Sequence, residues 1–358
     1  MHHFTTKLLE WYARNGRSLP WRETNDPYAI WLSEIILQQT RVQQGMDYWY
    51  RFMRRWPDVE SLAQATEDEV LRMWQGLGYY SRARHLHVAA RQIASMSRFP
   101  DTTEEIRKLK GVGDYTAAAI ASFAFGLPVA AVDGNVFRVL SRVFGITTPI
   151  NSNEGKKEFA ALAQSLLPAS RPADFNQAMM DFGSLLCTPK SPGCTGCCMQ
   201  EICVAWRENR VGELPVKLST MKVRQRHLVY YYLRCDGFTA IHQRGAGDIW
   251  QGLWEPYLVE SPVPPSYPKT SDTPESPQSP EKPDFLKTSE THSVLTLLAS
   301  GVKHVLTHRI LVADFYLWQT SERPVLPPGF VWIPESDIEH YAIPRLVERL
   351  LAYVPPAG

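Results

Sequence analysis

The chain has 358 residues, 44% of them hydrophobic and 21% charged, with a net charge of +1. That length can close two cores of ordinary size, and the composition excludes collagen-like, low-complexity and intrinsically disordered classes for the chain as a whole. No apolar run reaches membrane-spanning length, and the first residues carry charges and Trp11 where a secretory leader needs an unbroken apolar core, so a cytoplasmic protein that avoids membranes is expected. The first 217 residues are slightly basic and the remainder slightly acidic. Any nucleic-acid contact therefore rests on local patches, not on net charge.

In chain order, residues 4–15 form an amphipathic helical pattern, and 27–55 a long one broken near Gly45. Helical patterns follow over 67–75, 83–96, 115–125, 136–143, 154–167 and 175–186, joined by short polar or Gly/Pro connections. After Pro215 the texture changes. Residues 227–234 and 238–243, rich in β-branched and aromatic side chains, flank Cys235-Asp236-Gly237 and predict a hairpin; 302–307 and 310–319 predict a second. A helix interrupted at Pro344 is expected over 338–354. Residues 261–283 hold eight prolines among Ser, Thr, Lys and acidic residues and read as a disordered insertion, extending to about 290. The expected layout is an all-α domain (1–213), a linker (214–225) and an α+β domain (226–358).

Residues 109–135 organise the helical half. Gly111 and Gly113 around Val112 permit a tight hairpin with positive φ, and the helix after it aims its positive end at whatever the hairpin holds, which suits a phosphate. Asp133 stands before the next helix, where it either faces a cationic centre or caps that helix. Glu34 shares a helical face with Ile30, Trp31, Leu37 and Gln38. In such a setting its carboxyl favours the protonated form; the alternative is a solvent-facing glutamate in a first turn. Four of six cysteines fall at 187, 194, 197 and 203, too close for two disulfides. Four thiolates suit structural zinc or a [4Fe–4S] cluster alike, and Cys198 competes with Cys197 for the third place.

The hairpin, the Val132–Val136 segment and the cysteine spacing resemble the helix-hairpin-helix DNA glycosylases that carry a [4Fe–4S] cluster. More narrowly, LPWR at 19–22, SEIILQQTRV at 33–42, GLGYYSRAR at 76–84 and NQAMMDFG at 176–183 are similar to the MutY adenine DNA glycosylases, densely over about residues 8–217 and loosely beyond. The resemblance implies iron–sulfur, with Cys187, Cys194, Cys197 and Cys203 as ligands. It also implies a monomeric enzyme that removes adenine opposite 8-oxoguanine from double-stranded DNA. Glu34 would then protonate adenine and Asp133 stabilise the sugar cation, supported by Tyr115 and Asn135. Leu19, Trp21, Arg22 and Gln177 would surround the extruded base, Gln39 and Tyr79 would wedge the duplex, and Gly111, Val112 and Gly113 would hold phosphate. Further candidate phosphate contacts are Arg82, Arg84, Lys108, Lys110 and Lys190.

The related endonuclease III family has a nucleophilic lysine where Tyr115 stands, so a monofunctional glycosylase is expected here. Gly252-Leu253-Trp254-Glu255-Pro256 and the strand pairs look like a Nudix-type domain, but the glutamate-rich helix that holds magnesium in Nudix hydrolases does not follow. That domain is therefore expected to bind and not to hydrolyse. The family's Phe-Ser-His lesion-recognition turn matches Leu306-Thr307-His308, with Leu306 in place of the aromatic. A bifunctional glycosylase/lyase, a nucleotide hydrolase and a non-catalytic iron–sulfur DNA-binding protein are the alternatives.

Overall fold

The computed structural model describes residues 2–96, 98–218, 223–261 and 293–356; most of the expected Pro-rich insertion lies outside them. Among the described residues the α-helices are α1 (His3–Asn15), α2 (Pro27–Leu37), α3 (Val42–Arg55), α4 (Val59–Gln64), α5 (Glu67–Trp74), α6 (Ser81–Ala94), α7 (Thr103–Arg107), α8 (Asp114–Phe125), α9 (Gly134–Phe144), α10 (Asn153–Leu166), α11 (Pro172–Asp181), α12 (Val204–Arg207) and α13 (Arg345–Leu351). None is long and apolar enough to cross a membrane. The chain divides into two compact units: Met1–Ala65 with Arg84–Thr220, and Thr66–Ala83 with Met221–Gly358.

The first unit is helical. Pro27 at the first position of α2 and the Asp26 side chain, which accepts the Tyr28 N–H at 2.9 Å, start that helix. Tyr28 to Ile36 are all buried, so α2 is covered on every face and runs through the interior against α3 and α8. The small side chains Ala117–Ala119 and Ala121 let α8 approach it closely. A second core joins α1, α9, α10 and α11 through Phe4, Leu8, Val136, Leu140, Phe159, Phe175 and Met179. The expected break at Gly45 lies instead at Gln38–Arg41, where Gln39 takes a left-handed backbone (φ 60°). Gly45 sits inside α3, where a Cβ would meet the Leu37 side chain at 2.6 Å. Its missing side chain serves close packing and not a chain break.

The second unit is a mixed sheet of β1 (Arg224–Cys235), β2 (Phe238–Gln243), β3 (Trp254–Glu255), β4 (Tyr257–Ser261), β5 (Ser293–Val305), β6 (Arg309–Thr320) and β7 (Phe330–Pro334). The main order is β3-β2-β1-β6-β5, with β4 also on β1 and β7 on β2. The β1–β2 hairpin turns through Asp236 and Gly237, both at positive φ, the backbone that matches the strand twist. β1 and β6 pair in parallel over Arg224–Arg234, a register that hairpin patterning could not predict. One sheet face packs on Leu346, Val347 and Leu350 of α13. The terminal helix is shorter than expected: residues 335–340 form a 3-10 turn, and Pro344, lacking a donor N–H, starts α13. The α5 segment belongs to this unit, where Asp68 accepts from Gln243 at 3.0 Å and Gln75 donates to Glu348 at 2.5 Å.

Candidate active site

Within the first unit a cleft of ≈ 770 Å³ is lined by Leu19, Trp21, Arg22, Glu34, Gln39, Tyr115, Asp133, Asn135 and Gln177, among others. Residues scattered over more than 150 positions of sequence thus meet at one surface. Glu34, in the middle of α2, is 8% exposed. Burial pushes its carboxyl up to about 7, aided by Asp133 and opposed by the Tyr115 hydrogen bond and by Arg22. Tyr115, from the first turn of α8, donates its hydroxyl to Glu34 Oε2 at 3.1 Å.

Asp133 is the cap of α9. Its Oδ1 accepts the N–H groups of Asn135 and Val136, each at 2.9 Å, and its Oδ2 accepts from Asn135 Nδ2 at 2.7 Å. Asp133 is therefore the helix cap that one sequence alternative describes, and it also lines the cleft. Burial nevertheless outweighs those donors and Arg138, so its pKa is raised, where a helix terminus alone would lower it. Arg138 then locks Asn135, donating to its Oδ1 at 2.7 Å and to the carbonyls of Gly183 (2.7 Å) and Cys187 (2.8 Å). The approach is close: a Cβ on Gly183 would lie 2.6 Å from Asn135 Cβ. Residues 182–186 form a π-helical turn that delivers this glycine.

Also lining the cleft, Arg22 is held by Asp181 at 2.8 and 3.0 Å, and Gln177 Oε1 accepts from Tyr12 at 2.7 Å. Neither Tyr12 nor Asp181 was evident in sequence, where each is one polar residue in an amphipathic helix. In the hairpin, Gly111 has φ 80° and a Cβ there would strike His85, but Gly113 is extended, the cap position of α8, so only one glycine needs positive φ. The Val112 N–H bonds to the Leu109 carbonyl and is not uncovered.

Tyr79 and Thr307 lie in the second unit, where their hydroxyls share a hydrogen bond. Thr307 and His308 are exposed at the β5–β6 turn, closed by the Leu306 N–H on the Arg309 carbonyl, and Leu306 packs against the sheet core. Arg82 is not a surface cation: it is buried over the Trp74 and Tyr79 rings, and burial lowers its pKa to about 10.

The thiols of Cys187, Cys194, Cys197 and Cys203 line one ≈ 20 Å³ cavity with Arg142. Arg142 Nη1 points at Cys187 Sγ and the Met199 N–H at Cys197 Sγ, both at 3.4 Å. Cys198 does not line that cavity; its thiol lies 3.9 Å from the Lys7 carbonyl. Among the described residues, no three His, Cys, Asp or Glu side chains are gathered tightly enough to hold a metal ion. Four thiols spread around a cavity fit a cluster, where each sulfur meets its own iron, better than one tetrahedral ion.

Helix after helix around a hairpin and a capped aspartate defines the class. Residues 32–168 match the HhH-GPD superfamily base excision DNA repair proteins, and 229–353 match the NUDIX domain. The adenine DNA glycosylase of Buchnera aphidicola from Schizaphis graminum is 32% identical over 70% of this chain and 73% of its own, and the mouse adenine DNA glycosylase is 44% identical over 59% and 43%. The chain belongs to the adenine DNA glycosylase family. It spans less than half the length of its mammalian relatives. A thermostable thymine-DNA glycosylase superposes on 57% of the chain with a TM-score of 0.54 at 32% identity. An endonuclease III in a DNA complex, 19% identical with a TM-score of 0.51 over 58% of this chain, shares the fold.

Proposed function

We propose that this protein excises adenine from double-stranded DNA opposite 8-oxoguanine, hydrolysing the N-glycosidic bond without cutting the strand. The observation that carries the reading is the buried Glu34 carboxyl, poised near neutrality in a cleft it shares with the capped Asp133. The adenine leaves the stack and enters the cleft between Trp21, Leu19, Arg22 and Gln177. Glu34 gives its proton to the base at N7, and the electrons of the C1′–N9 bond leave with adenine. Asp133 faces the cation that develops on the sugar, oriented by Asn135, which Arg138 fixes in turn. Water adds at C1′ and its proton returns to Glu34. Tyr115 offers a phenol and no amine, so no Schiff base forms there.

Gln39 and Tyr79 wedge the duplex, and the hairpin at Gly111–Gly113 holds the strand. Both wedge residues are non-glycine with left-handed backbone, φ 60° and 50°, a conformation whose local cost is about 1 kcal/mol or more and which recurs at functional positions. Thr307, bonded to Tyr79, and His308 read the 8-oxoguanine. Cys187, Cys194, Cys197 and Cys203 hold a [4Fe–4S] cluster. Base excision moves no electrons, so what the cluster supplies when bound is order in residues 187–203.

Duplexes carrying 8-oxoguanine:A, G:A and thymine glycol:A, each read with and without alkali, test the proposal. A break only after alkali, on the adenine strand of the first, is expected. Glu34→Gln is expected to lower that rate by at least about a thousandfold with duplex binding kept. Strand cleavage without alkali, or activity surviving the substitution, would overturn it.

A further inference from the structure

A carboxylate that takes no step in this reaction lies behind the cleft wall. Asp181, the last residue of α11, is 0% exposed. Its Oδ2 accepts the Arg17 backbone N–H at 2.9 Å and Arg22 Nη1 at 2.8 Å; its Oδ1 accepts Arg22 Nη2 at 3.0 Å and the Arg17 side chain from Nε at 2.8 Å and Nη2. Arg22 spends its remaining reach on the Arg17 carbonyl at 3.2 Å. Both ends of the guanidinium fork are thus committed to groups behind the wall. Burial works against an ionised Asp181, but the two arginines outweigh it and hold its pKa below the ordinary carboxylate value.

Arg22 matters because of what else lies within its field. Its side chain is only 10% exposed, and the carboxylates acting on it are Asp181 and, more weakly, Glu34. A guanidinium this buried is costly to leave unpaired, and its planar fork matches any carboxylate within reach. Without Asp181 it would turn to Glu34 and draw off the proton that the reaction needs. We propose that Asp181 is a positioning residue that keeps the Arg22 guanidinium engaged and off Glu34, so that Glu34 meets the substrate protonated. This rests on the proposed role of Glu34 as the acid. The charged or titratable groups facing Glu34 are Tyr115 from α8, Asp133 from the start of α9 and Arg22 from the turn after α1. Tyr115 and Arg22 favour its ionised form and Asp133 its protonated form. Asp133 is anchored by the cap of α9 and Tyr115 by α8 itself, so Arg22 is the group whose position hangs on Asp181.

The test is single-turnover excision on an 8-oxoguanine:A duplex between pH 5.5 and 8.5, using the full iron-loaded chain. Asp181→Asn is expected to stay near the wild-type rate at pH 5.5 and to lose about tenfold at pH 7.5, as the alkaline limb moves down by about one unit. Placed on Arg22→Met, the same change is expected to leave the limb where Arg22→Met alone puts it. Asp181→Glu, which keeps the carboxylate, is expected to restore the wild-type limb. A loss in Asp181→Asn that is uniform with pH, or a limb that moves equally with Arg22 removed, would overturn the proposal. Carbon-13 NMR titration of the Glu34 carboxyl, assigned with Glu34→Gln, reads the same shift without excision. An inactive wild type would therefore sink the functional reading and still leave Asp181 decided. If Asp181→Asn does not fold, a displaced limb in Asp181→Glu overturns the proposal.

Discussion

Glu34 carries a cost that its proposed role as the acid explains. A carboxyl at an ordinary value of 4.5 when unfolded and about 7 when folded binds more protons in the folded state throughout that interval. Stability from this group is therefore full below about pH 4.5 and falls as pH rises to about 7, by roughly 3 kcal/mol at the upper limit. Glu34→Gln, which cannot ionise, is expected to melt above the wild type at pH 8 and close to it at pH 5, by differential scanning calorimetry. An equal difference at both pH values would mean that burial does not tax the charged form. The burial of Glu34 was legible in sequence because three of its four neighbours at three- and four-residue spacing, Ile30, Trp31 and Leu37, are apolar. Asp181 was not: an isolated aspartate in a helix carries no mark of the two arginines that find it from more than 150 residues away.

Most helices were legible, because burial of one face leaves a 3.6-residue pattern. The short α4 and α7 escaped, each being little more than a turn begun by a capping side chain, Asp58 or Thr102. The π-helical turn after α11 also escaped, since its pattern runs on unbroken from the helix before it. The gathering of four cysteines in one loop was legible, but not which thiols face inward, because adjacent residues differ only in the backbone angles between them. Cys197→Ser is expected to lose iron content and visible absorbance, whereas Cys198→Ser, whose thiol lies by the Lys7 carbonyl, is expected to keep both. The reverse result would exchange the two ligands. The loop reaches the carboxylate through Arg138, whose donors span the Cys187 and Gly183 carbonyls and Asn135. A displacement of the cysteine loop is thereby felt at the cap of α9.

At the scale of the molecule, the sequence divides at its change of texture near Pro215, whereas the fold assigns residues 66–83 to the sheet unit. Periodicity reports which face of a helix is covered, not what covers it, so this membership could not be read in advance. A fragment spanning 223–358 is expected to melt several degrees below the same unit in the intact chain, because Gln243, Thr307 and Glu348 lose their partners on 66–83. Equal melting temperatures would show that the segment adds nothing to that unit's stability.

The same interleaving sets an order of manufacture. Residues 66–83 leave the ribosome well over a hundred residues before the strands they pack against. At ordinary synthesis rates of about 5–20 residues per second they wait on the order of ten seconds for their partners. The helical unit has that interval in which to fold by itself, and the sheet unit is the last to be completed.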